Sequence, residues 1–125
     1  MTVSLVKREK TCNSVLKAIE LCDGLRDLKI NDKILIKPNL VLGMDQRDFP
    51  PFGVVTTASI IEELAQILHE KGCRDIAVGE GSIILKELGS NTKKGFKFSG
   101  IDRVAKDYNL KLIDFEGDRI VSAIS

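Results

Sequence analysis

Three apolar residues run into a lysine, a proline and an asparagine in the segment Ile34-Leu35-Ile36-Lys37-Pro38-Asn39-Leu40. Proline has no backbone N–H for a sheet and favours extended geometry in the residue before it, so we expect a strand that ends at Lys37. A cation and an amide then stand directly beyond the strand. In α/β proteins ligands bind at this end of a strand, although a strand stop followed by an asparagine-stabilised turn has the same pattern.

A second apolar run, Asp75-Ile76-Ala77-Val78-Gly79, ends in the polar segment Glu80-Gly81-Ser82. Its nearly continuous apolar character is typical of a parallel strand that is covered on both faces. The two glycines permit close approach of a ligand to the backbone, and the carboxylate between them suits a hydroxyl, an amine or a hard cation such as magnesium. A tight turn between a strand and a helix would place glycines there as well.

The chain between these two strands predicts a long loop over 38–55 and then a helix from about residue 57 to residue 71. A loop of this length is either a lid or binding loop, or an insertion that faces a partner or is disordered. Ser59 and Glu62 have the spacing of a capping box, and Gly72 is placed to end the helix. The side chains expected to form the buried stripe of this helix are Ile60, Leu64, Ile67 and Leu68.

The remaining sequence completes an alternation of strands and helices. Strands are predicted at 3–6 and 111–115, and helices from about residue 11 to 24, over 83–88 and from about residue 99 to 109. Residues 89–95 have the composition of a mobile, solvated loop, and the apolar run 120–124 begins an element that the sequence does not finish. The alternation predicts an α/β fold, a three-layer sandwich with a mainly parallel sheet and right-handed βαβ crossovers. We expect a single domain over 1–125, the amino-terminal portion of a longer protein.

Composition narrows the classes of partner. The 125 residues include 19 basic and 18 acidic side chains, a net charge of +1, and only 5% aromatic residues. We therefore expect no nucleic-acid partner and no membrane partner, since no global field or base-stacking surface is present. Three cysteines without a C-x-x-C pair indicate reduced thiols. The sequence starts without a signal-peptide pattern and has no apolar run of about 20 residues, so we expect a cytoplasmic protein.

The carboxyl edge of the predicted sheet collects the polar residues that are candidates for chemistry. If the strands are parallel, their carboxyl ends meet at one rim, where an open sheet has its binding crevice. The rim residues expected from the first three loops are Lys7, Arg8, Lys10, Lys37, Asn39, Glu80 and Ser82, and the fourth loop would add Asp114 or Glu116. Cations and carboxylates would thus share one rim. A P-loop is absent from the sequence, and the third glycine of a dinucleotide-binding fingerprint is missing.

A small anionic ligand that carries a phosphate or a carboxylate is the substrate class that this rim suggests. The free amides at the start of the helix near Thr57 are suited to an anion, and Lys37 would add a charge. We expect Lys37 and Glu80 to be the acid–base groups if the protein is an enzyme, a question that the sequence leaves open. The ligand-binding candidates are Asn39, Thr56, Thr57 and Ser82, with a divalent cation as an optional cofactor. The alternative is that the polar residues 56–59 only cap the helix.

Several of these motifs, in this order and spacing, resemble the domain of unknown function 362 family. The resemblance rests on 34–41, on Gly53-Val54-Val55-Thr56-Thr57, on Glu70-Lys71-Gly72-Cys73, on 78–82 and on the later segments 98–101 and 112–114. The Lys37-Pro38-Asn39 element is its most specific part. Members of that family are typically longer, and many carry a ferredoxin-like segment with four-iron clusters after this domain.

The resemblance implies an alternative function, in which the chain is the scaffold domain of an iron–sulfur electron-transfer protein. No cluster motif occurs within these 125 residues, so a four-iron cluster would belong to a downstream segment. A ferredoxin-like module or a second copy of the chain would then be the protein partner. The resemblance also implies a functional surface at Lys37, Asn39, Thr56, Thr57, Glu80 and Ser82.

Overall fold

A computed structural model describes residues 1–9, 13–41, 55–81, 87 and 89–117. Its sheet has three strands, β1 (Ile34–Ile36), β2 (Ile76–Glu80) and β3 (Lys111–Asp114), in the order β1-β2-β3. Both pairings are parallel. Ile36 lies opposite Val78, and Glu80 lies opposite Asp114. The register therefore brings the carboxyl ends of all three strands to the same edge, as the sequence predicts.

Four helices accompany the strands: α1 (Ser14–Cys22), α2 (Ala58–Glu70), α3 (Thr92–Ser99) and α4 (Ile101–Tyr108). Helix α2 connects β1 to β2, and the pair α3 and α4 connects β2 to β3. Neighbouring parallel strands need such crossovers, because the chain must return from the carboxyl end of one strand to the amino end of the next, which a tight turn cannot span. The α/β class and the parallel sheet are thus confirmed.

The core lies between one face of the sheet and the helices that connect the strands. Its buried side chains from the strands include Ile36, Ile76 and Val78, and those from the helices include Ile61, Ala65, Leu68, Ile101, Val104 and Ala105. Helix α1 packs against α2. On the other face of β1, Leu35 is 57% exposed. The second helical layer of the expected sandwich therefore does not cover this position.

Helix α2 begins close to the predicted residue but faces the core differently. Its N-cap is Thr57, and no side chain caps it, so the expected capping box at Ser59 is wrong. The helix buries Ile61 and Ala65, whereas Ile60 is only half-buried. Because Ile60 and Ile61 are adjacent and both apolar, helical periodicity fits either choice. Packing selects the face that places Ile61 and the small Ala65 in the core.

Two other predictions are wrong. Residues 3–6 form no strand; the arm 1–9 is attached to helices instead, for example by the Ser4 hydroxyl, which donates to the Ala18 carbonyl at 2.6 Å. The segment 89–95 is not an open loop, since α3 begins at Thr92 and buries Gly95. The side chain of Asn91 caps α3 by accepting from the Lys94 N–H at 2.9 Å. A polar N-cap and one buried turn therefore form a helix in a segment whose composition predicted a solvated loop.

The last helix and strand follow the sequence closely. Helix α4 ends at Asn109, which has φ 55° and ψ 47°, a left-handed conformation that asparagine tolerates. Strand β3 covers most of the predicted segment 111–115. The helix predicted over 83–88 and the apolar run 120–124 lie outside the described residues, apart from Glu87. No helix among the described residues is long and apolar enough to cross a membrane.

Candidate functional site

An ion pair joins the ends of the two strands that the sequence singled out. Lys37 follows β1 directly, and Glu80 is the last residue of β2. The Lys37 Nζ lies 2.9 Å from Glu80 Oε1 and 3.0 Å from Oε2. It also donates to the Pro38 carbonyl at 3.2 Å. The structure therefore brings together the two residues predicted to act as acid–base groups.

Glu80 is the buried partner of this pair. Its side chain is 6% exposed, whereas that of Lys37 is 59% exposed. Besides the ammonium, the carboxylate accepts from the backbone N–H of Leu40 at 3.2 Å and from that of Gly81 at 2.9 Å. A buried carboxylate is tolerated when charged and neutral donors satisfy it in this way. Glu80 thus holds the Lys37 ammonium and the backbone around Leu40 at the end of β2.

The segment after Lys37 is also attached to the start of α2. The N–H of Asn39 donates to Thr56 Oγ1 at 2.9 Å, and the N–H of Thr56 donates to the Asn39 carbonyl at 2.8 Å. Thr57 occupies the N-cap position of α2 in an extended conformation, and its hydroxyl lies 3.2 Å from that of Ser59. The residues predicted to bind a ligand, Asn39, Thr56 and Thr57, are therefore neighbours at the carboxyl edge.

A cation from the amino-terminal arm reaches the same helix. Arg8 donates to the Ser59 hydroxyl at 3.0 Å and pairs with the Glu63 carboxylate at 2.6 Å. The guanidinium thus covers the first two turns of α2. The basic run 7–10 indicated a charge at the rim, but the predicted ligand-binding residues did not include Arg8. Nothing in the sequence pairs it with Ser59 and Glu63, which lie more than 50 positions away.

The backbone is strained directly beside the ion pair. Val41 has φ 55°, in the left-handed region. The other described non-glycine residues with positive φ are Asp23, Asn31 and Asn109, which are residue types that adopt this region more readily. A β-branched residue there is a true outlier, and such strain is found most often at functional sites. Val41 follows Leu40, whose N–H is held by Glu80, so the strain and the buried carboxylate belong to one arrangement.

Residues 34–124 match the family model described as a domain of unknown function (DUF362). The match covers most of the chain. The chain belongs to the DUF362 family. No curated protein and no solved structure matches it significantly. The DUF362 match includes β1, the Lys37–Glu80 pair and the start of α2, whereas the arm and α1 precede it.

In this DUF362 chain, other side chains fill the space next to the two glycines that flank Glu80. A Cβ atom added to Gly79 would lie 2.6 Å from Phe115 Cε1 and 3.2 Å from Leu35 Cδ1. One added to Gly81 would lie 3.3 Å from Glu116 Oε1. The turn after β3 therefore uses the space that the sequence assigned to a ligand. This close packing explains why position 79 requires glycine.

Some predicted rim residues stabilise a turn, and others lie outside the residues that the structure describes. Asp114 Oδ1 accepts from the N–H of Glu116 at 3.0 Å and so stabilises the turn after β3. Ser82 and Lys10 lie outside the described residues. Within the described ranges, no group of three or more histidine, cysteine or acidic side chains is arranged to hold a metal ion.

Proposed function

We propose that this DUF362 domain binds a small ligand with a phosphate or carboxylate group at the carboxyl edge of its sheet. The observation that carries the proposal is Lys37, whose side chain is largely exposed while its ammonium is held in place by the buried carboxylate of Glu80. A lysine fixed in this way presents a positive charge with little further loss of side-chain entropy. Preorganisation of this kind increases the affinity of a site.

The start of α2 supports the same ligand class. The first amides of a helix have no partner within the helix and favour negative charge, so the N–H groups near Ala58 and Ser59 suit an anion. The Thr57 and Ser59 hydroxyls lie at the same end of the helix. Asn39 and Thr56 fix the distance between this end and the segment after Lys37 through their two mutual hydrogen bonds.

The geometry suggests different roles for the two charged residues. Lys37 contacts the ligand, and Glu80 positions Lys37. Each oxygen of Glu80 already accepts from the ammonium and from one backbone N–H. Proton transfer to Glu80 would therefore require a donor to leave, and the acid–base roles of both residues stay predictions. A divalent cation would arrive with the phosphate of the ligand, as magnesium usually does.

Thermal unfolding in phosphate, acetate and chloride at equal ionic strength tests this proposal. Linkage predicts that phosphate at about 100 times its Kd adds about 2.7 kcal/mol to the free energy of unfolding. The variant Lys37→Ala should lose this response. Lys71→Ala, which removes an exposed lysine just beyond the opposite end of α2, is the matched control and should keep it. Equal responses of Lys37→Ala and the unmodified protein would refute the proposal.

The scaffold role for an iron–sulfur segment stays a prediction that rests on the family resemblance alone. Its test is the iron and acid-labile sulfide content of the protein purified anaerobically from its native source, with the intact mass measured on the same sample. Iron on a longer chain would support this role. A 13.8 kDa chain without iron would remove it.

A further inference from the structure

Helix α3 concentrates positive charge in a chain that is almost neutral. It contains Lys93, Lys94 and Lys97, all exposed, and no acidic residue. None of these lysines forms an ion pair with a described residue. The whole chain has a net charge of only +1, so the positive charge of this helix is local and does not reflect a basic chain.

An aromatic side chain lies within this basic surface. Phe98 is 50% exposed, one turn after Lys94 and next to Lys97. The nearby Phe96 is 4% exposed and joins the core, so it already anchors the helix. Phe98 thus adds exposed apolar area that folding does not require. We call Lys93, Lys94, Lys97 and Phe98 the α3 surface.

Two of the lysines in the α3 surface are unfavourably placed in the helix that carries them. Lysines in the first turn face the positive end of the helix dipole, and α3 has no acid there to offset them. Lys93 and Lys97 are like charges four residues apart, which is unfavourable on a helix. A pattern that opposes local stability without a packing reason indicates a binding role.

We propose that the α3 surface docks an acidic segment of a partner protein, with Phe98 against an apolar side chain of that segment. Charge complementarity selects the sign of the partner, and aromatic residues are enriched at protein interfaces. One aromatic residue is too few for base stacking along a nucleic acid strand. A single exposed phenylalanine on an eight-residue helix also buries little area in a bilayer.

The position of α3 places such a partner near the candidate site. Gly100 ends α3, and a Cβ added to it would lie 3.5 Å from that of Ala58 in the first turn of α2. The end of α3 is therefore adjacent to the helix start proposed to bind the anion. The docking proposal itself does not depend on that ligand.

A labelled peptide with glutamates and aspartates around a central leucine is the probe for this surface. Its binding to the full chain is measured by fluorescence anisotropy at low and at physiological salt. The double variant Lys93→Glu/Lys97→Glu should weaken binding at least about tenfold, which corresponds to about 1.4 kcal/mol, and Phe98→Ser should weaken it at both salt concentrations. Matched controls are Lys17→Glu and Leu21→Ser, which alter an exposed lysine and an exposed leucine on α1 and should change nothing.

The outcomes decide between partner classes. Circular dichroism spectra that match the unmodified protein would show that the α3 variants fold, and Phe98→Ser retains all three lysines as a second check. Equal peptide affinity for the α3 variants and the α1 controls would overturn the proposal. It would also be overturned if single-stranded DNA, or vesicles that contain phosphatidylserine, bound this surface more tightly than the peptide does.

Discussion

Glu80 is the residue on which the geometry of the candidate site depends. Its carboxylate is buried at the end of β2 and receives donors from three directions: the Lys37 ammonium, the Leu40 N–H and the Gly81 N–H. Removal of one partner from such a group leaves the others buried and unsatisfied, which costs more than the net value of one hydrogen bond. Glu80 therefore stabilises the domain as well as positioning Lys37.

We expect Glu80→Gln to lower the free energy of unfolding by about 1–2 kcal/mol. Glutamine preserves the shape but has only one acceptor oxygen, so its NH2 group would face either a backbone N–H or the lysine. Urea unfolding of the variant measures the loss. Glu116→Gln, at an exposed position in the turn after β3, is the control. If both variants were as stable as the unmodified protein, Glu80 would not have this role.

Val41 has a left-handed backbone conformation whose effect on the free energy of unfolding can be measured. A left-handed conformation is unfavourable by about 1–2 kcal/mol for a residue with a Cβ, whereas glycine loses about 0.5–1 kcal/mol through its greater freedom when unfolded. Val41→Gly should therefore raise the free energy of unfolding by about 0.5–1 kcal/mol. Val3→Gly, at an exposed position without a positive φ, should lower it or leave it unchanged. Destabilisation by Val41→Gly would show that its side chain matters more than the strain.

At the scale of elements, α2 and α4 meet through a polar cluster. Tyr108 donates to Glu62 Oε1 at 3.2 Å and accepts from Gln66 Nε2 at 2.6 Å, and its ring lies 5.9 Å from that of His69. The Nε2 atom of His69 is buried and has no hydrogen-bond partner among the described residues. Burial first, and the positive charge of Arg74 second, lower the pKa of His69 below its usual 6.5.

The lowered pKa of His69 makes the contact between α2 and α4 sensitive to acid. The unfolded state binds the proton more readily than the folded state, so the contribution of neutral His69 is complete above pH 6.5 and is lost as the pH falls toward the folded-state pKa. Urea unfolding between about pH 7.5 and pH 5 should therefore show stability that decreases with acid. His69→Gln should flatten this part of the profile, and an unchanged profile would contradict the assignment.

The elements also show what the sequence could and could not predict. Strands β1, β2 and β3 could be predicted because each is a short apolar run that ends in polar or glycine residues. The strand expected at 3–6 has strand-like alternation but pairs with none of the strands that the structure describes, and tertiary contacts overrode its propensity. Helix α3 was missed because its lysines and glycine obscure the period, and its cap at Asn91 is a signal that could have revealed it.

At the scale of the whole molecule, the parallel register creates the candidate site. Lys37 and Glu80 are 43 positions apart, and they meet because β1 and β2 end at the same edge. This convergence follows from the α/β alternation, so the sequence could predict both residues. The bonds from Leu40 and Gly81 could not be predicted, because the first depends on the conformation of the segment after Lys37 and the second on the local turn at the end of β2. The same holds for Arg8, which comes from an arm outside the alternation.

The anion site is tested most directly by titrating the isotope-labelled protein with inorganic phosphate and monitoring the NMR resonances of the backbone amides. We predict saturable shifts at Ala58, Ser59 and Leu40 in the unmodified protein, and their loss in Lys37→Ala but not in Lys71→Ala. Shifts that are absent, that map to another part of the chain, or that persist in Lys37→Ala would contradict an anion site at the carboxyl edge of the sheet.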